Sequence, residues 1–306
     1  IENLKHLKKK LLLPRNIKTI YTSTGLWEDS LFKFWLSDSI SKNSKLVYSQ
    51  HGWAYGSTLY MFSEYIEKRI SDIYLNWGWE PDSKNVKRFY SIKLINHKEC
   101  KKINSKKILI IITAFYRYTL ENHTHPPWGR YNKIYSYAVQ NIIERIPNNK
   151  REFFHIRPYP NEKAYDCNFS KVLKKKFPEI KFQNEKKKLL NSIDEYGIII
   201  NTREGTSFLE LMALNKPNLL LIASQNEEFG EYRENVYNYY KSLEEASILH
   251  RSEESIYNFL SKIENNYNEW WFSDEVQTVR KNFCKNFANT SNKTIAELRN
   301  ILESTL

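Results

Sequence analysis

The stretch IIINTREGTSFLELMALNKP, residues 198–217, is the part of the sequence that best indicates the fold. Residues 196–201 form an apolar run typical of a buried strand, and a short polar loop follows it. From residue 207 to residue 214 the apolar residues recur at the spacing of a helix. A buried strand, a short loop and a helix in this order are the repeating unit of parallel α/β structure.

The loop between this strand and helix has the composition of an anion site. Gly205, Thr206 and Ser207 stand where the first backbone N–H groups of the helix have no partner within it. Hydroxyls and N–H groups that converge there can hold a phosphate, and Glu210 could accept ribose hydroxyls. An ordinary N-cap by Thr206 or Ser207 explains the same residues equally well.

The same alternation continues along the chain. In the second half, strands are predicted over 107–113, 153–157 and 218–222, with helices over 131–146 and 169–176. In the first third, strands are predicted over 18–23, 45–49 and 73–77, with a helix over 31–40. We therefore predict two doubly wound lobes with parallel sheets.

The polar segment 81–105 has little apolar periodicity and is the predicted boundary between the lobes. The predicted domains are residues 1–100, residues 101–270 and a helical tail over 271–306. We expect the first lobe to continue upstream of residue 1, because the chain starts at Ile1 with neither an initiator Met nor a signal peptide.

Composition excludes several classes of protein. No run approaches the roughly 20 apolar residues of a spanning helix, and three scattered cysteines indicate neither a disulfide framework nor a thiolate zinc site. The net charge of +12 suits an anionic partner. Lysine clusters at 8–10, 174–176 and 186–188 fit solvated helix ends, or a patch for an anionic membrane surface. Without an RNP-like or helix-turn-helix pattern, nucleic acid is not favoured as a partner.

Arg157 and Pro158 follow the predicted strand 153–157, at the end where open α/β sheets bind ligands. Arg157 could bind a phosphate through two N–H groups, and Pro158 would fix the loop. We expect this strand to be the neighbour of the strand that precedes Thr206 and Ser207, so that both ends share one crevice.

In the first lobe, the segment from Gln50 to Gly56 contains a histidine among amide and aromatic groups. His51 could act as acid or base near neutral pH, although a lone histidine is more often structural. Gln50, Gly52 and Tyr55 are the residues expected to contact donor or acceptor.

Three carboxylates, Glu64, Glu67 and Asp72, follow on a predicted helix. A solvated face explains most of them, and one that faces a cleft could serve as base or nucleophile. No metal site is expected, because the spacing of Glu121, His123, His125 and His155 fits no standard zinc pattern.

Several motifs together resemble a family of transferases encoded in bacterial O-antigen and surface-carbohydrate clusters. They are Gln50-His51-Gly52, Tyr55-Gly56, Ile70-Ser71-Asp72, Trp77-Gly78-Trp79, Arg157-Pro158, Thr206 to Glu210, Trp270-Trp271 and Val276-Gln277. The resemblance spans about residues 19–287. That family is similar, more distantly, to capsule β-Kdo transferases and to glycerophosphotransferases of the GT-B fold.

The resemblance implies a GT-B-like α/β fold with two Rossmann-like lobes that face each other across a cleft and a helical C-terminal tail. Related enzymes hold the CMP phosphate with a His-Pro pair and a Ser/Thr loop. Here Arg157-Pro158 replaces the His-Pro pair and keeps a hydrogen-bond donor for phosphate without specifying the nucleotide, whereas Thr206-Ser207 matches the loop.

The implied activity is transfer of a Kdo-like or nonulosonic acid residue from its CMP form to a surface polysaccharide or lipid-linked glycan. No metal or other cofactor is implied, and the implied location is cytoplasmic, with possible peripheral contact with the inner membrane. His51, Asp72 and Glu64 are the candidate catalytic residues. The resemblance to the capsule enzymes makes Kdo-type retaining transfer the first choice, and Glu64 is the nucleophile if the configuration is retained through a covalent adduct. The alternatives are a CDP-polyol phosphotransferase and a non-catalytic glycan-binding module.

Overall fold

The computed structural model describes residues 13–95, 97–114, 128–160, 162, 167–184, 187–222, 232–264 and 266–305, without the side chains of residues 28 and 128–132. The chain forms two compact units. Unit 1 comprises the described parts of Ile1–Tyr55, Met61–Asn96 and Lys285–Leu306. Unit 2 comprises those of Gly56–Tyr60 and His97–Cys284.

Unit 1 is built on a parallel sheet of four strands in the order β1-β2-β3-β4. The strands are β1 (Thr19–Thr22), β2 (Lys45–Ser49), β3 (Ile73–Asn76) and β4 (Val86–Arg88). The helices before residue 96 are α1 (Gly25–Glu28), α2 (Ser30–Ile40) and α3 (Phe62–Ile70), and a 3₁₀ turn covers Ile92–Leu94.

The core of unit 1 joins its sheet to the end of the chain. Val47, Leu75 and Phe89 are almost fully buried, and Leu298 and Ile301 pack against them from the last helix. Each such side chain contributes roughly 1.5–3 kcal/mol when it leaves water. The sequence predicts one helical tail over 271–306, whereas Lys285–Leu306 belongs to unit 1 and the residues before it to unit 2.

A close backbone contact joins the turn after β3 to this C-terminal segment. Gly78 has a φ of +116°, and a Cβ added there would lie 2.2 Å from the carbonyl oxygen of Lys285. Only glycine fits this position, because any side chain would collide with backbone in a conformation that L-residues rarely adopt.

Unit 2 contains a parallel sheet of six strands in the order β10-β9-β8-β5-β6-β7. The strands are β5 (Ile108–Ile111), β6 (Phe154–Arg157), β7 (Lys181–Phe182), β8 (Ile198–Asn201), β9 (Asn218–Leu221) and β10 (Leu249–His250). The helices from residue 128 onward are α4 (Trp128–Arg145), α5 (Phe169–Lys176), α6 (Thr206–Ala213), α7 (Glu234–Glu245), α8 (Glu253–Ile263), α9 (Tyr267–Trp271), α10 (Asp274–Phe287) and α11 (Thr294–Glu303). Of these, α11 belongs to unit 1.

The central strands of unit 2 are apolar on both faces, as expected for a parallel sheet covered on both sides. Leu109, Ile110, Ile199 and Ile200 are fully buried. The short segment Gly56–Tyr60 also belongs to this unit, where Thr58 forms an antiparallel bridge with Tyr232.

The predicted α/β class is confirmed, and the structure adds three strands that the sequence analysis did not predict. These are β4, β7 and β10, which have three, two and two residues. Such short strands carry too little periodicity to be recognised, and β4 falls in the polar segment taken as a linker. Within the described ranges, we find no helix that has the length and apolar character to span a bilayer.

Candidate active-site groups in the two units

In unit 2, the loop between β8 and α6 leads to a helix N-terminus without a side-chain cap. The N-cap residue is Gly205, and Thr206 is the first residue of α6, so the capping role considered for Thr206 and Ser207 is not observed. The Ser207 hydroxyl instead donates to Asn201 Oδ1 at 3.0 Å, across the loop. Among the described residues beyond its chain neighbours, the atom nearest to a Cβ added at Gly205 would be the Ser207 hydroxyl oxygen, 4.0 Å away.

A chain of hydrogen bonds fixes the start of this loop. The Thr202 hydroxyl donates to the Ile111 carbonyl at 2.7 Å, and Tyr135 lies 2.6 Å from the same hydroxyl. Because the Thr202 hydrogen is used, Tyr135 donates to Thr202 and accepts from the Thr113 N–H at 2.8 Å. The ends of β5 and β8 are thereby tied together through α4.

Glu204, inside this loop, is a buried carboxyl group that the sequence analysis did not single out. The hydroxyls of Tyr232 and Tyr240 both donate to it. Burial raises the pKa of Glu204, and the two phenols and the nearby Arg203 and Arg251 oppose the rise. Nothing in the sequence signals this role, because the tyrosines lie about 30 residues away along the chain.

The strand that carries Arg157 and Pro158 is not the neighbour of β8. Strand β5 lies between β6 and β8, so the prediction that the two strand ends are adjacent is wrong. Two strand spacings separate them by about 9–10 Å. The Arg157 guanidinium donates to Gln183 and to the Lys187 carbonyl, beyond β6 on the β7 side. Burial lowers the pKa of Arg157.

In unit 1, Gln50 fixes the loop that carries the candidate histidine. Its Oε1 accepts from the Trp77 N–H at 2.9 Å and from Trp79 Nε1 at 3.0 Å. Its Nε2 donates to the Gly52 carbonyl at 2.9 Å. The side chain is buried, so these contacts give Gln50 a structural task where the sequence analysis predicts donor or acceptor contact.

His51, Tyr55 and Glu67 form a connected polar group. The Tyr55 hydroxyl lies 2.9 Å from His51 Nδ1 and donates to Glu67 Oε1 at 2.9 Å. Trp27 Nε1 donates to the same Glu67 oxygen at 2.6 Å. The Glu67 side chain is fully buried, whereas 30% of the His51 side chain is exposed, so the ring is the part of this group that reaches solvent.

The other two predicted carboxylates have structural partners. Glu64 is buried and pairs with Lys68 Nζ at 2.9 Å. Asp72 accepts from the Leu46 N–H at 2.8 Å and from Lys45 Nζ at 2.8 Å, which ties the start of β2 to the start of β3. The structure therefore puts Glu67, and neither Glu64 nor Asp72, beside His51.

The burial pattern of α3 explains why the sequence pointed to a different carboxylate. Its buried residues are Ser63, Glu64 and Glu67, while Phe62 and Tyr65 are exposed. This helix turns its polar face inward, the reverse of the usual amphipathic pattern. Such local departures are expected where side chains serve function.

Comparison with protein-family models identifies the family of this chain. The model of the LIC12162 family transferase matches residues 1–302, nearly the whole of the 306-residue chain. The chain belongs to the LIC12162 transferase family. Curated proteins give no match.

Solved structures similar to this family member share its fold at low sequence identity. S. aureus MnaA, in a co-structure with UDP, has a TM-score of 0.54 and 12% identity, over 99% of this chain and 78% of that one. The UDP-GlcNAc 2-epimerase from Neisseria meningitidis bound to UDP-GlcNAc has a TM-score of 0.52 and 11% identity, over 99% and 80%. A glycosyltransferase from Rickettsia africae ESF-5 has a TM-score of 0.50 and 11% identity, over 99% and 80%. The predicted GT-B-like class, with two parallel α/β lobes and a helical C-terminal region, is confirmed.

In this LIC12162 family transferase, burial favours the neutral forms of both His51 and Glu67. Burial, reinforced by the charge of Lys93, lowers the pKa of His51 to about 4, while the Ser23 carbonyl acts in the opposite direction. Burial raises the pKa of Glu67 to about 8, against the hydrogen bonds from Trp27, Tyr55 and Tyr74. His51 Nδ1 lies 3.8 Å from Glu67 Oε1, and because both pKa shifts favour the neutral forms, this contact does not have the character of an ion pair.

Among the residues that the structure describes, no three His, Cys, Asp or Glu side chains are grouped as a metal site requires. His155 instead lies 3.0 Å from the Tyr196 hydroxyl through Nδ1. Glu121, His123 and His125 lie outside the described residues.

Proposed function

We propose that this chain is a glycosyltransferase that transfers an acidic sugar, Kdo-like or a nonulosonic acid, from its CMP form to a surface polysaccharide or lipid-linked glycan. The observation that carries the proposal is the start of α6: a glycine N-cap, room for a Cβ there among the described residues, and a loop held by Thr202. Membership in a transferase family and a GT-B-like fold support a nucleotide-activated donor.

We assign the donor phosphate to Gly205, Thr206 and Ser207. A helix N-terminus attracts an anion, and the interaction contributes typically about 0.3–1 kcal/mol at an exposed site and more where water is partly excluded. Glu210, half-buried at the fifth residue of α6, is assigned to the ribose hydroxyls. No metal cofactor is proposed, because this arrangement supplies the stabilisation of the leaving phosphate.

We assign Arg157 and Pro158 to the edge of the donor site, and no longer to direct contact with the phosphate. The Arg157 guanidinium is engaged by Gln183 and Lys187, so contact with the phosphate would require it to exchange a partner. Its buried position supports a role in shaping the edge of the donor site.

We assign the acceptor to unit 1, at the loop of Gln50, Gly52 and Tyr55, with His51 as the base. In the proposed step the acceptor oxygen bonds to the anomeric carbon while the bond from that carbon to the phosphate oxygen breaks. CMP leaves with the electron pair, and the hydroxyl proton passes to His51. Because Glu64 pairs with Lys68, a covalent sugar adduct on Glu64 is not favoured.

The nucleotide itself has a second candidate. The resemblance to capsule transferases favours CMP, whereas two of the similar structures were solved with UDP or UDP-GlcNAc. A UDP-sugar donor would use the same phosphate loop. The CDP-polyol and non-catalytic alternatives also make different predictions for nucleotide binding.

The experiment is a thermal-shift and calorimetry screen of CMP, CDP, UDP and CDP-glycerol with and without EDTA. A nucleotide present at a hundredfold above its Kd should stabilise the protein by about 2.7 kcal/mol. Preferential stabilisation by CMP, unchanged by EDTA, agrees with the proposal. Preference for UDP changes the donor, hydrolysis of CDP-glycerol selects the phosphotransferase, and no nucleotide binding at all rules out the proposed donor site.

A further inference from the structure

We propose that Glu67 is a positioning residue: acting through Tyr55, it holds His51 in the tautomer with hydrogen on Nδ1, so that Nε2 is the atom that receives the substrate proton. The substrate step rests on the proposed function. The hydrogen-bond arrangement rests only on geometry within unit 1.

Glu67 Oε1 accepts two hydrogen bonds. Trp27 Nε1 lies 2.6 Å away and can only donate. The Tyr55 hydroxyl donates to the same oxygen at 2.9 Å. Glu67 Oε2 has a longer contact, 3.4 Å from the Tyr74 hydroxyl.

This imbalance between the two carboxyl oxygens fixes the location of the Glu67 proton. Because Oε1 accepts two hydrogen bonds, it is the oxygen that better carries the negative charge of the ionised group or the C=O bond of the neutral group. In the neutral carboxyl group the proton is therefore on Oε2. The acceptor role of Oε1 is therefore the same whether Glu67 is ionised or neutral. In both states the Tyr55 hydrogen points toward Glu67.

The consequence appears at His51. With its hydrogen committed to Glu67, the Tyr55 oxygen can only accept from the ring. Nδ1 is 2.9 Å from that oxygen and Nε2 is 3.5 Å from it, so Nδ1 is the donor. A neutral imidazole has one N–H, so donation from Nδ1 to Tyr55 leaves Nε2 with its lone pair. The Ser23 carbonyl also hydrogen-bonds the ring and is the acceptor that competes with Tyr55 for this hydrogen. The His51 side chain is 30% exposed, so within the group of His51, Tyr55 and Glu67 it is the one that substrate can reach.

The opposite tautomer occurs at His250 in unit 2, which serves as an internal reference. Its Nε2 lies 3.1 Å from the Ser247 carbonyl, and a carbonyl can only accept, so Nε2 carries the hydrogen. The Ser255 hydroxyl lies 2.8 Å from Nδ1. The two histidines should therefore differ in one spectrum of the same protein.

The test is a long-range ¹H–¹⁵N correlation spectrum of protein labelled with ¹⁵N-histidine, at pH 7.5, with His51 assigned from the signals lost in His51→Asn. We expect His51 to be protonated on Nδ1 and His250 on Nε2. A wild-type His51 protonated on Nε2 overturns the proposal by itself, without any variant.

Three variants distinguish a specific effect on the His51 tautomer from a general disturbance of the fold. Tyr55→Phe removes the acceptor and should shift His51 toward the Nε2–H form. Glu67→Leu removes the oxygen that accepts from Tyr55, so the Tyr55 hydroxyl becomes free to donate to Nδ1 and His51 should likewise shift toward the Nε2–H form. In the matched control Tyr65→Phe, the lost hydroxyl contacts Arg69, so both histidines should be unchanged. If Tyr55→Phe leaves the His51 tautomer unchanged while His250 shows an intact fold, the proposal is wrong.

The catalytic half of the proposal has its own readout once a donor is found. Tyr55→Phe should lower kcat about 10- to 100-fold with little change in the KM for donor. A correct tautomer without transferase activity would reject the proposed function and leave the positioning by Glu67 intact. An unchanged kcat in Tyr55→Phe, despite an altered tautomer, would reject the catalytic half alone.

Discussion

Trp27 Nε1 donates a hydrogen bond to Glu67 Oε1 across 2.6 Å and joins helix α1 to helix α3 inside unit 1. An indole N–H cannot accept, so this contact supports a carboxyl oxygen as acceptor at every pH. It lowers the pKa of Glu67, but desolvation is the larger effect and the pKa rises to about 8. This buried carboxyl group should therefore be visible in the stability of the protein.

We expect Glu67→Gln to become more stable relative to wild type as pH rises from 5 to 9. The folded pKa of Glu67, about 8, lies above the ordinary value of 4.5 for this side chain. Between these values the folded state binds more protons than the unfolded state, so wild-type stability falls as pH rises. The difference should reach a few kcal/mol, at most about 5, by the conversion of 1.36 kcal/mol per pKa unit.

The measurement is the midpoint of urea unfolding at pH 5, 7 and 9, with tryptophan fluorescence as the signal that monitors the transition of unit 1. Glu303→Gln, at an exposed carboxylate paired with Arg299, should follow wild type at each pH. Parallel stability curves for wild type and Glu67→Gln would show that Glu67 titrates at its ordinary pKa.

Gly78→Ala should destabilise unit 1 by roughly 3 kcal/mol or more. The residue has a φ of +116°, and an added Cβ would lie 2.2 Å from the Lys285 carbonyl oxygen. Both backbone strain and a collision with backbone act in the same direction. Denaturant unfolding measures the loss, and a change below about 1 kcal/mol would contradict the close contact between Gly78 and Lys285.

Gly205→Val should leave the fold intact and weaken nucleotide binding at least tenfold. The φ of Gly205 is 178°, an extended conformation that any residue adopts, and no described atom beyond the chain neighbours lies closer than 4.0 Å to an added Cβ. The larger side chain would occupy the space assigned to the phosphate. Calorimetry with the nucleotide selected in the screen measures the effect, and circular dichroism checks the fold; undiminished affinity would remove the donor site from this helix start.

Arg157→Ala and Gln183→Ala should both loosen the edge of unit 2 near β7. Arg157 donates to Gln183 and to Lys187, so each variant breaks the same contact. If Arg157 also acts on the donor, only Arg157→Ala should weaken nucleotide binding beyond the shared effect, by about tenfold. Equal losses in the two variants, measured by calorimetry, would restrict Arg157 to a structural role.

Glu204→Gln should flatten the pH dependence of nucleotide binding. Burial raises the pKa of Glu204, with Tyr232, Tyr240, Arg203 and Arg251 acting in the opposite direction. Ionisation of Glu204 beside a bound phosphate would be repulsive, so wild-type affinity should fall as pH rises from 5 to 9. The effect is on the order of tenfold for like charges separated by roughly 8–12 Å at an effective dielectric constant of 20.

Titration of the nucleotide itself is the same in wild type and Glu204→Gln, so the difference between the two proteins isolates this carboxyl group. If both proteins show the same pH profile, Glu204 lies too far from the phosphate to influence it, or keeps one protonation state throughout.

Much of the fold was predictable because it depends on local patterns. Apolar runs at 107–113 and 196–201 contain the strands β5 and β8, and the predicted helix 169–176 matches α5. Strand order was not predictable in the same way. Residues 153–157 precede 196–201 in the chain, yet β5 separates the two strands in the sheet, because the pairing of parallel strands depends on crossovers and not on sequence proximity.

The candidate site was predicted only in part. The segment Gln50 to Tyr55 drew attention to His51, and the loop before α6 was recognisable from its strand, glycine and hydroxyl residues. The partner of His51 was not recognised, because α3 buries Glu64 and Glu67 and exposes Phe62 and Tyr65. Helical periodicity alone assigns the opposite faces.

The sequence by itself determined the α/β class, the existence of two parallel sheets and the residue types available for phosphate and proton chemistry, since these follow from hydrophobic period and local turn composition. Tertiary structure alone decided that Glu67 meets Trp27 and Tyr55, that Glu204 meets Tyr232 and Tyr240, and that Arg157 contacts Gln183. The physical reason is that side-chain partners far apart in the chain are selected by packing and desolvation, which act only after the elements have assembled.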